Sequence, residues 1–293
     1  MSLVEQAIAR LKKQQGGAKI ASPESTIKSL SRFAVIEPED PAALAKRLPV
    51  DLNALRASGY LPDKERERQF SDQYRRIKRP LIDKALSDAG AAGEPRIIMV
   101  ASAVPGDGKT FTSINLALSM ALERDISVLL VDSDVTKQHI SGIFGLRDQK
   151  GLLDALVDES LDAESLVIPT NVRGLAILPA GRRVEGTAEL ISSNRMRQIA
   201  ASLCARNPRR ILLLDSPPLL ITNEGRALIK IAGQLVLVVR AGVTPRHAVQ
   251  AAIELFEPGQ AGGLILNQVK VGLTEGYYGY GTYGSYGINA DET

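Results

Sequence analysis

The sequence predicts an α/β fold, a mostly parallel sheet with helices on both faces. Two observations predict it. From residue 96 onward, short apolar runs alternate with longer amphipathic stretches, which is the pattern of repeated βαβ units. The Gly, Lys and Asp residues able to carry chemistry fall just after those runs, at the strand ends where open parallel sheets bind their ligands.

The strand candidates are 97–101, 128–131, 175–179, 211–214, 235–239 and 263–266. The helix candidates between them are 110–123, 187–206, 223–231 and 245–256. Ahead of the sheet, 62–88 reads as a charged helix, and Pro80 inside it predicts a kink or break near Arg79. Its basic cluster Arg75, Arg76, Lys78 and Arg79 reads either as a solvated helix face or as an interaction surface. Residues 3–14 read as a short amphipathic helix with Leu3, Val4, Ala7, Ile8 and Leu11 on one face. Such a helix would be expected to dock either on its own domain or on a partner. Residues 18–50 carry scattered Pro and Ser and read as linker. The chain therefore divides into 1–60, 61–90, 91–271 and 272–293.

Composition excludes several function classes. A net charge of +3 gives no general case for nucleic-acid binding. The single cysteine, Cys204, excludes an internal disulfide framework and a multi-cysteine zinc site. The start of the chain lacks the continuous apolar stretch of a secretory signal, and no run is long enough to span a membrane. A cytoplasmic protein that reaches the membrane only through a partner is expected.

The most informative segment follows the run IIMVAS. It reads Ala103-Val104-Pro105-Gly106-Asp107-Gly108-Lys109-Thr110 and leads through Phe111 into a helix. It matches the phosphate-binding pattern G-x-x-x-x-G-K-[ST], with Ala103 in place of the first glycine. Gly106 and Gly108 let the backbone curl so that N–H groups face phosphate oxygens. The helix N-terminus adds partial positive charge. Lys109 is placed to reach the β- and γ-phosphates of ATP, and the Thr110 hydroxyl to ligate Mg²⁺.

Carboxylates follow at two further strand ends. The run SVLLV ends in Asp132-Ser133-Asp134, and ILLL ends in Asp215-Ser216-Pro217-Pro218. Asp215 is the Walker-B candidate. Near a phosphate loop such groups can hold hydrated Mg²⁺ or take a proton from an attacking hydroxyl. The bland alternative is that each merely caps the next turn.

These motifs resemble the bacterial tyrosine kinases of polysaccharide export, within the wider MinD/ParA group of P-loop ATPases. The similarity rests on VLLVDSD, LLLDSPP, AVPGDGKT, the LPAG of 178–181 and the tyrosine-rich tail, and it spans about residues 70–286. The tyrosine autokinases of exosortase-associated exopolysaccharide clusters are the most similar subgroup. The resemblance implies an Mg-ATP-dependent autokinase, with Lys109, Asp132, Asp134 and Asp215 as catalytic residues. Thr110 and the three aspartates would hold the metal, and 103–111 would hold the nucleotide. Asn267 resembles a position near the adenine in related ATPases. Tyr277, Tyr278, Tyr280, Tyr283 and Tyr286 match the phosphoacceptor cluster. The implied partners are further copies in a ring, a separate transmembrane polysaccharide co-polymerase as activator, and a cognate tyrosine phosphatase. In these terms 61–90 is the oligomerisation segment, 91–271 the kinase domain and 272–293 the acceptor tail.

Two departures stand out. Thr136, followed by Lys137, occupies the place where the family's second Walker motif carries Arg. In the oligomerisation helix, Asp72, Arg75 and Lys78 stand where the family has Glu-x-x-Arg-x-x-Arg. Two rival readings remain at this level. One is a positioning ATPase of the MinD/ParA type, disfavoured because Val104 replaces its signature lysine. The other is a scaffold in which ATP only controls assembly. The glycine- and tyrosine-rich tail, taken alone, also reads as a low-complexity segment.

Overall fold

The computed structural model describes residues 47–87, 94–257 and 260–269. The tail tyrosines and the 3–14 helix lie outside the described residues. Seven strands form one sheet in the order β3-β4-β2-β5-β1-β6-β7. They are β1 Glu94–Ser102, β2 Ser127–Asp132, β3 Ile168–Pro169, β4 Leu175–Leu178, β5 Arg210–Asp215, β6 Ala232–Arg240 and β7 Ala261–Asn267. All pairings are parallel except that of the two-residue edge strand β3 with β4.

The apolar runs lack polar alternation because both faces of their strands are buried. Successive side chains of a strand point to opposite faces. Ile97, Met99 and Ala101 of β1 therefore join one core, and Ile98 and Val100 join the other. Strand β5 divides in the same way, with Leu212 and Leu214 on the first face and Ile211 and Leu213 on the second.

Nine α-helices are assigned among the described residues: α1 Leu52–Ala57, α2 Glu67–Leu86, α3 Lys109–Ala121, α4 His139–Ile143, α5 Leu152–Val157, α6 Thr187–Ser192, α7 Asn194–Ala205, α8 Asn223–Ile229 and α9 Arg246–Ile253. Helices α2 and α3 contribute to the second core, and α5 through α9 contribute to the first.

Three expectations are corrected. Helix α2 runs unbroken through Pro80. An internal proline costs about 3 kcal/mol, but Tyr74, Leu81, Ile82 and Ala85 on either side of it are buried, and their packing holds the helix together. The single helix expected over 187–206 is two, divided at Ser193. That residue is extended, with φ −72° and ψ 162°, and its hydroxyl accepts the Met196 N–H as an N-cap. The linker reading fails at its C-terminal end. Leu48 bridges to Thr170, and Asp51 caps α1 by accepting from the N–H groups of Asn53 and Ala54.

Lys78 also behaves differently from the rest of its basic cluster. It is 4% exposed, and its ammonium donates to the Ser119 carbonyl at 2.6 Å while pairing with Glu123 at 2.9 Å. Both acceptors lie at the C-terminal end of α3, where a cation is favoured by the helix dipole. Lys78 therefore fastens α2 to the helix that begins in the phosphate loop. Arg75, Arg76 and Arg79 remain exposed, and Arg75 pairs with Asp72. Replacing Lys78 with Ala is expected to lower stability by about 2 kcal/mol, the scale of a charged hydrogen bond lost from a buried site. Replacing Arg76 with Ala should change stability by less than about 0.5 kcal/mol. Urea unfolding of the two variants checks this contrast.

Candidate active site

The site is built where β1, β2 and β5 end side by side. Register pairs Asp132 directly with Asp215, and Val100 of β1 with Asp215 on the other side. Beyond β1 the phosphate loop turns into α3. Gly106 and Gly108 have φ of +86° and +96°, a left-handed conformation open mainly to glycine. A Cβ on Gly108 would also lie 2.1 Å from the Asn267 amide nitrogen.

Loop side chains hold this shape. Ser102 Oγ donates to the Val104 carbonyl at 2.6 Å. Thr244 Oγ1 donates to Asp107 Oδ1 at 2.6 Å, and Asn267 Nδ2 donates to the Asp107 carbonyl at 2.9 Å. The contact Asn267 makes is thus with the loop itself.

Lys109 is buried and donates to Ser102 Oγ at 3.1 Å. Burial lowers its pKa, while Asp215 and Asp134 pull it back up. Asp215 is enclosed by the first turns of α3. Its Oδ2 accepts from Thr110 Oγ1 at 2.9 Å and its Oδ1 from Ser113 Oγ at 2.8 Å. Burial raises its pKa to about 6, against the opposing pull of Lys109 and the two hydroxyls.

Asp132 faces elsewhere. Its Oδ2 accepts both the N–H and the hydroxyl of Ser141 on α4, at 2.7 and 2.6 Å, and its Oδ1 is buried without a partner. Burial raises its pKa to about 7, and Asp215 and Asp134 add to the shift. Asp134 is also buried. Its Oδ1 accepts the Lys137 N–H at 3.2 Å, and the other oxygen takes no hydrogen bond among the described residues. The pair two residues apart therefore divides its work: Asp132 braces α4, and Asp134 keeps an oxygen available beside Lys109.

The arrangement suits a polyphosphate with a divalent cation. The N–H groups of Gly106, Asp107 and Gly108 engage no acceptor among the described residues, so they are available to phosphate oxygens. Lys109 supplies a buried positive charge with donors to spare. Thr110 gives its proton to Asp215 and so keeps lone pairs for a cation. No group of three His, Cys, Asp or Glu side chains converges on a metal position among the described residues.

Sequence reasoning singled out the loop and the aspartates but missed Ser102, Ser113, Ser141 and Thr244. Only α3 periodicity offered a signal, since Ser113 lies one turn from Lys109.

Comparison with known proteins decides the family. A family model described as an AAA domain matches residues 95–256, more than half of the chain. Tyrosine-protein kinase YwqD of Bacillus subtilis (strain 168) is 32% identical over 214 residues, covering 72% of this chain and 86% of that protein. This chain belongs to the bacterial tyrosine-protein kinase family. It spans only 26% of some longer tyrosine-protein kinases that it also matches. The kinase domain of VpsO superposes with a TM-score of 0.58 at 28% identity, over 71% of this chain and 98% of that one. At the level of fold alone, the septum site-determining protein MinD of Pyrococcus horikoshii OT3, solved with Mg-ADP, has a TM-score of 0.50 at 23% identity. It covers 58% of this chain and 69% of that one. The chain is accordingly an ATP-dependent protein-tyrosine kinase with a P-loop fold.

The raised carboxyls make this kinase's stability depend on pH. A group whose folded pKa exceeds its unfolded value binds its proton more tightly when folded, so stability falls as pH rises between the two values. For Asp132 that window runs from 3.8 to about 7. At about 1.4 kcal/mol per unit, the cost above the window is on the order of 4 kcal/mol. Asp132→Asn keeps an oxygen for Ser141 and removes the charge. The variant is expected to be more stable than the native chain at pH 8 and to show a flatter profile from pH 4.5 to 8. Urea midpoints across that range check the sign.

Proposed function

We propose that this kinase uses Mg-ATP to phosphorylate the tyrosines of its own C-terminal cluster, with the tail of one subunit entering the site of another. The observation that carries the reading is the enclosure of Asp215 by Thr110 and Ser113 beside buried Lys109. It brings a lysine, a hydroxyl and a carboxylate together at one strand edge, a set that suits a phosphate chain with a cation.

In this reading the loop N–H groups of 106–108 and the Lys109 ammonium hold the phosphate chain of the nucleotide. Thr110 would hold Mg²⁺ with the help of Asp215, which orients that hydroxyl by accepting its proton. Bound Mg²⁺ would neutralise charge on the phosphates. Asp134 is assigned as the group that orients the tyrosine hydroxyl and accepts its proton, because one of its oxygens is uncommitted and it sits close enough to Lys109 to perturb it. Asp132 is assigned to positioning, through Ser141. Lys109 stabilises the charge that spreads over the transferring phosphoryl group, a contribution of electrostatic preorganisation.

The acceptors are Tyr277, Tyr278, Tyr280, Tyr283 and Tyr286, which share a segment with interleaved glycine and no bulky apolar neighbour. Each phosphate adds about −1.5 to −2 charge, enough for several of them to loosen contacts between subunits. We assign the chain to the cytoplasmic face of the membrane, as a ring-forming regulator of exopolysaccharide synthesis and export. A separate membrane co-polymerase would activate it and a cognate phosphatase would reset it. Among the described residues no helix is long and apolar enough to cross a membrane.

Intact-mass spectrometry after incubation with Mg-ATP tests the assignment. The native chain, supplied with the cytosolic segment of its membrane partner, is expected to gain several phosphates. Lys109→Met should lose at least about 99% of the rate, the scale of removing a main charge-stabilising group. A variant with all five tail tyrosines changed to Phe should bind ATP normally and gain no tail phosphate. Undiminished phosphorylation in Lys109→Met would overturn the reading.

A further inference from the structure

A second feature is lined by none of the residues of the phosphate site. A cavity of about 240 Å³ opens between α6, α7 and α8. Its apolar lining is Ile191, Ala227 and Ile231, of which the two isoleucines are buried. Its polar lining includes three cations, Arg197, Arg226 and Lys230, all exposed. None of the three forms an ion pair among the described residues, and no carboxylate lines the cavity. Arg226 is steadied by donating from Nε to the Leu219 carbonyl at 3.2 Å.

Surface cations usually lie among anions of the same chain. Three that share one concavity without a carboxylate leave a local excess of positive charge, which a multiply charged anion relieves. Guanidinium forks match phosphate oxygens in pairs. An apolar wall adds a preference that a bare phosphate ion cannot satisfy, because burying a ring contributes through area removed from water. Cations beside an apolar wall therefore select an aryl phosphate, and the product of a tyrosine kinase is an aryl phosphate.

We propose that the cavity between α6, α7 and α8 is a phosphotyrosine docking site that seats a phosphorylated tyrosine of the 272–293 segment. The identity of the occupant rests on the tail being the acceptor; the chemistry of the cavity does not. Two features of the chain favour this occupant. Residues 271–293 contain Glu275, Asp291 and Glu292 and no Lys or Arg, so the segment complements the cations even before phosphorylation. Glycine flanks Tyr280 on both sides, so its ring can enter a cavity without a bulky neighbour meeting the rim. The site retains product on the kinase after it has left the phosphate loop, in a cavity that shares no lining residue with the catalytic site.

The test uses the full-length chain with its five tail tyrosines changed to Phe, so that its own tail cannot compete. A synthetic fluorescent peptide of residues 275–288, phosphorylated at Tyr280, is titrated against it by anisotropy. The phosphopeptide is expected to bind at least about tenfold more tightly than the unphosphorylated peptide. Adding Arg197→Gln and Lys230→Gln should weaken phosphopeptide binding by roughly tenfold or more while leaving ATP binding and the urea midpoint unchanged. Arg226→Gln, tested separately, should weaken it in the same direction. Phenyl phosphate should displace the peptide at concentrations about tenfold below inorganic phosphate. Equal binding of the two peptides, or unchanged affinity in the double variant, overturns the proposal. Equal displacement by phenyl and inorganic phosphate overturns it too, since the cavity would then read charge alone. Because the phosphopeptide is synthetic, these outcomes do not depend on whether the kinase modifies its own tail.

Discussion

The structure of the site depends on one buried carboxylate. Asp215 ends the strand between β2 and β1, and both of its oxygens are taken by hydroxyls from the first turns of α3. A carboxylate this enclosed is costly unless its oxygens are satisfied. Satisfying them fixes where α3 begins, and hence the angle at which the phosphate loop leaves β1. Lys109 is buried in the same place and supplies the opposite charge. The loop geometry and the placement of charge therefore follow from one constraint.

Around that centre the support is layered. The β5–α8 loop is tied to β1 and the phosphate loop by backbone bonds from Leu219 to Ser102 and from Leu220 to Ala103. Thr244 and Asn267 hold Asp107 from the far side. Lys78 anchors α2 on the other end of α3. The groups touching the loop thus come from beyond the ends of β5 and β6 and from the end of β7, and they converge only in the folded chain. A functional group held this way has few alternative rotamers, which is the condition for electrostatic preorganisation.

The two aspartates of the 132–134 segment illustrate how burial distributes roles. They look equivalent in the sequence, two residues apart at a strand end. Folded, Asp132 is committed to Ser141, and Ser141 in turn accepts the Ala180 N–H at 3.0 Å. That chain of bonds links β2 to the loop after β4. Asp134 keeps an oxygen without a protein partner. The distinction between a bracing carboxylate and a reactive one arises from what surrounds each, not from the motif.

The sequence alone determined the sheet, its parallel character and the phosphate loop, because these depend on local periodicity and on short-range glycine and lysine chemistry. Apolar runs buried on both faces have no other stable use in a chain of this kind, and a loop of left-handed glycines ahead of a helix is specified within eight residues. Tertiary structure decided the rest. Pro80 predicts a kink or break near Arg79, but the helix runs on past it, with buried residues packed on both sides. Ser193 split an apparently continuous helix because its hydroxyl found a nearby N–H to cap. Lys78, read as one of several surface charges, turned inward to the end of α3. The hydroxyls of Ser113, Ser141 and Thr244 carry no pattern in one dimension; each matters only because a distant strand end delivers a carboxylate to it. Local conformation is encoded by neighbours in the chain, whereas the partner of a buried polar group is encoded by the whole fold.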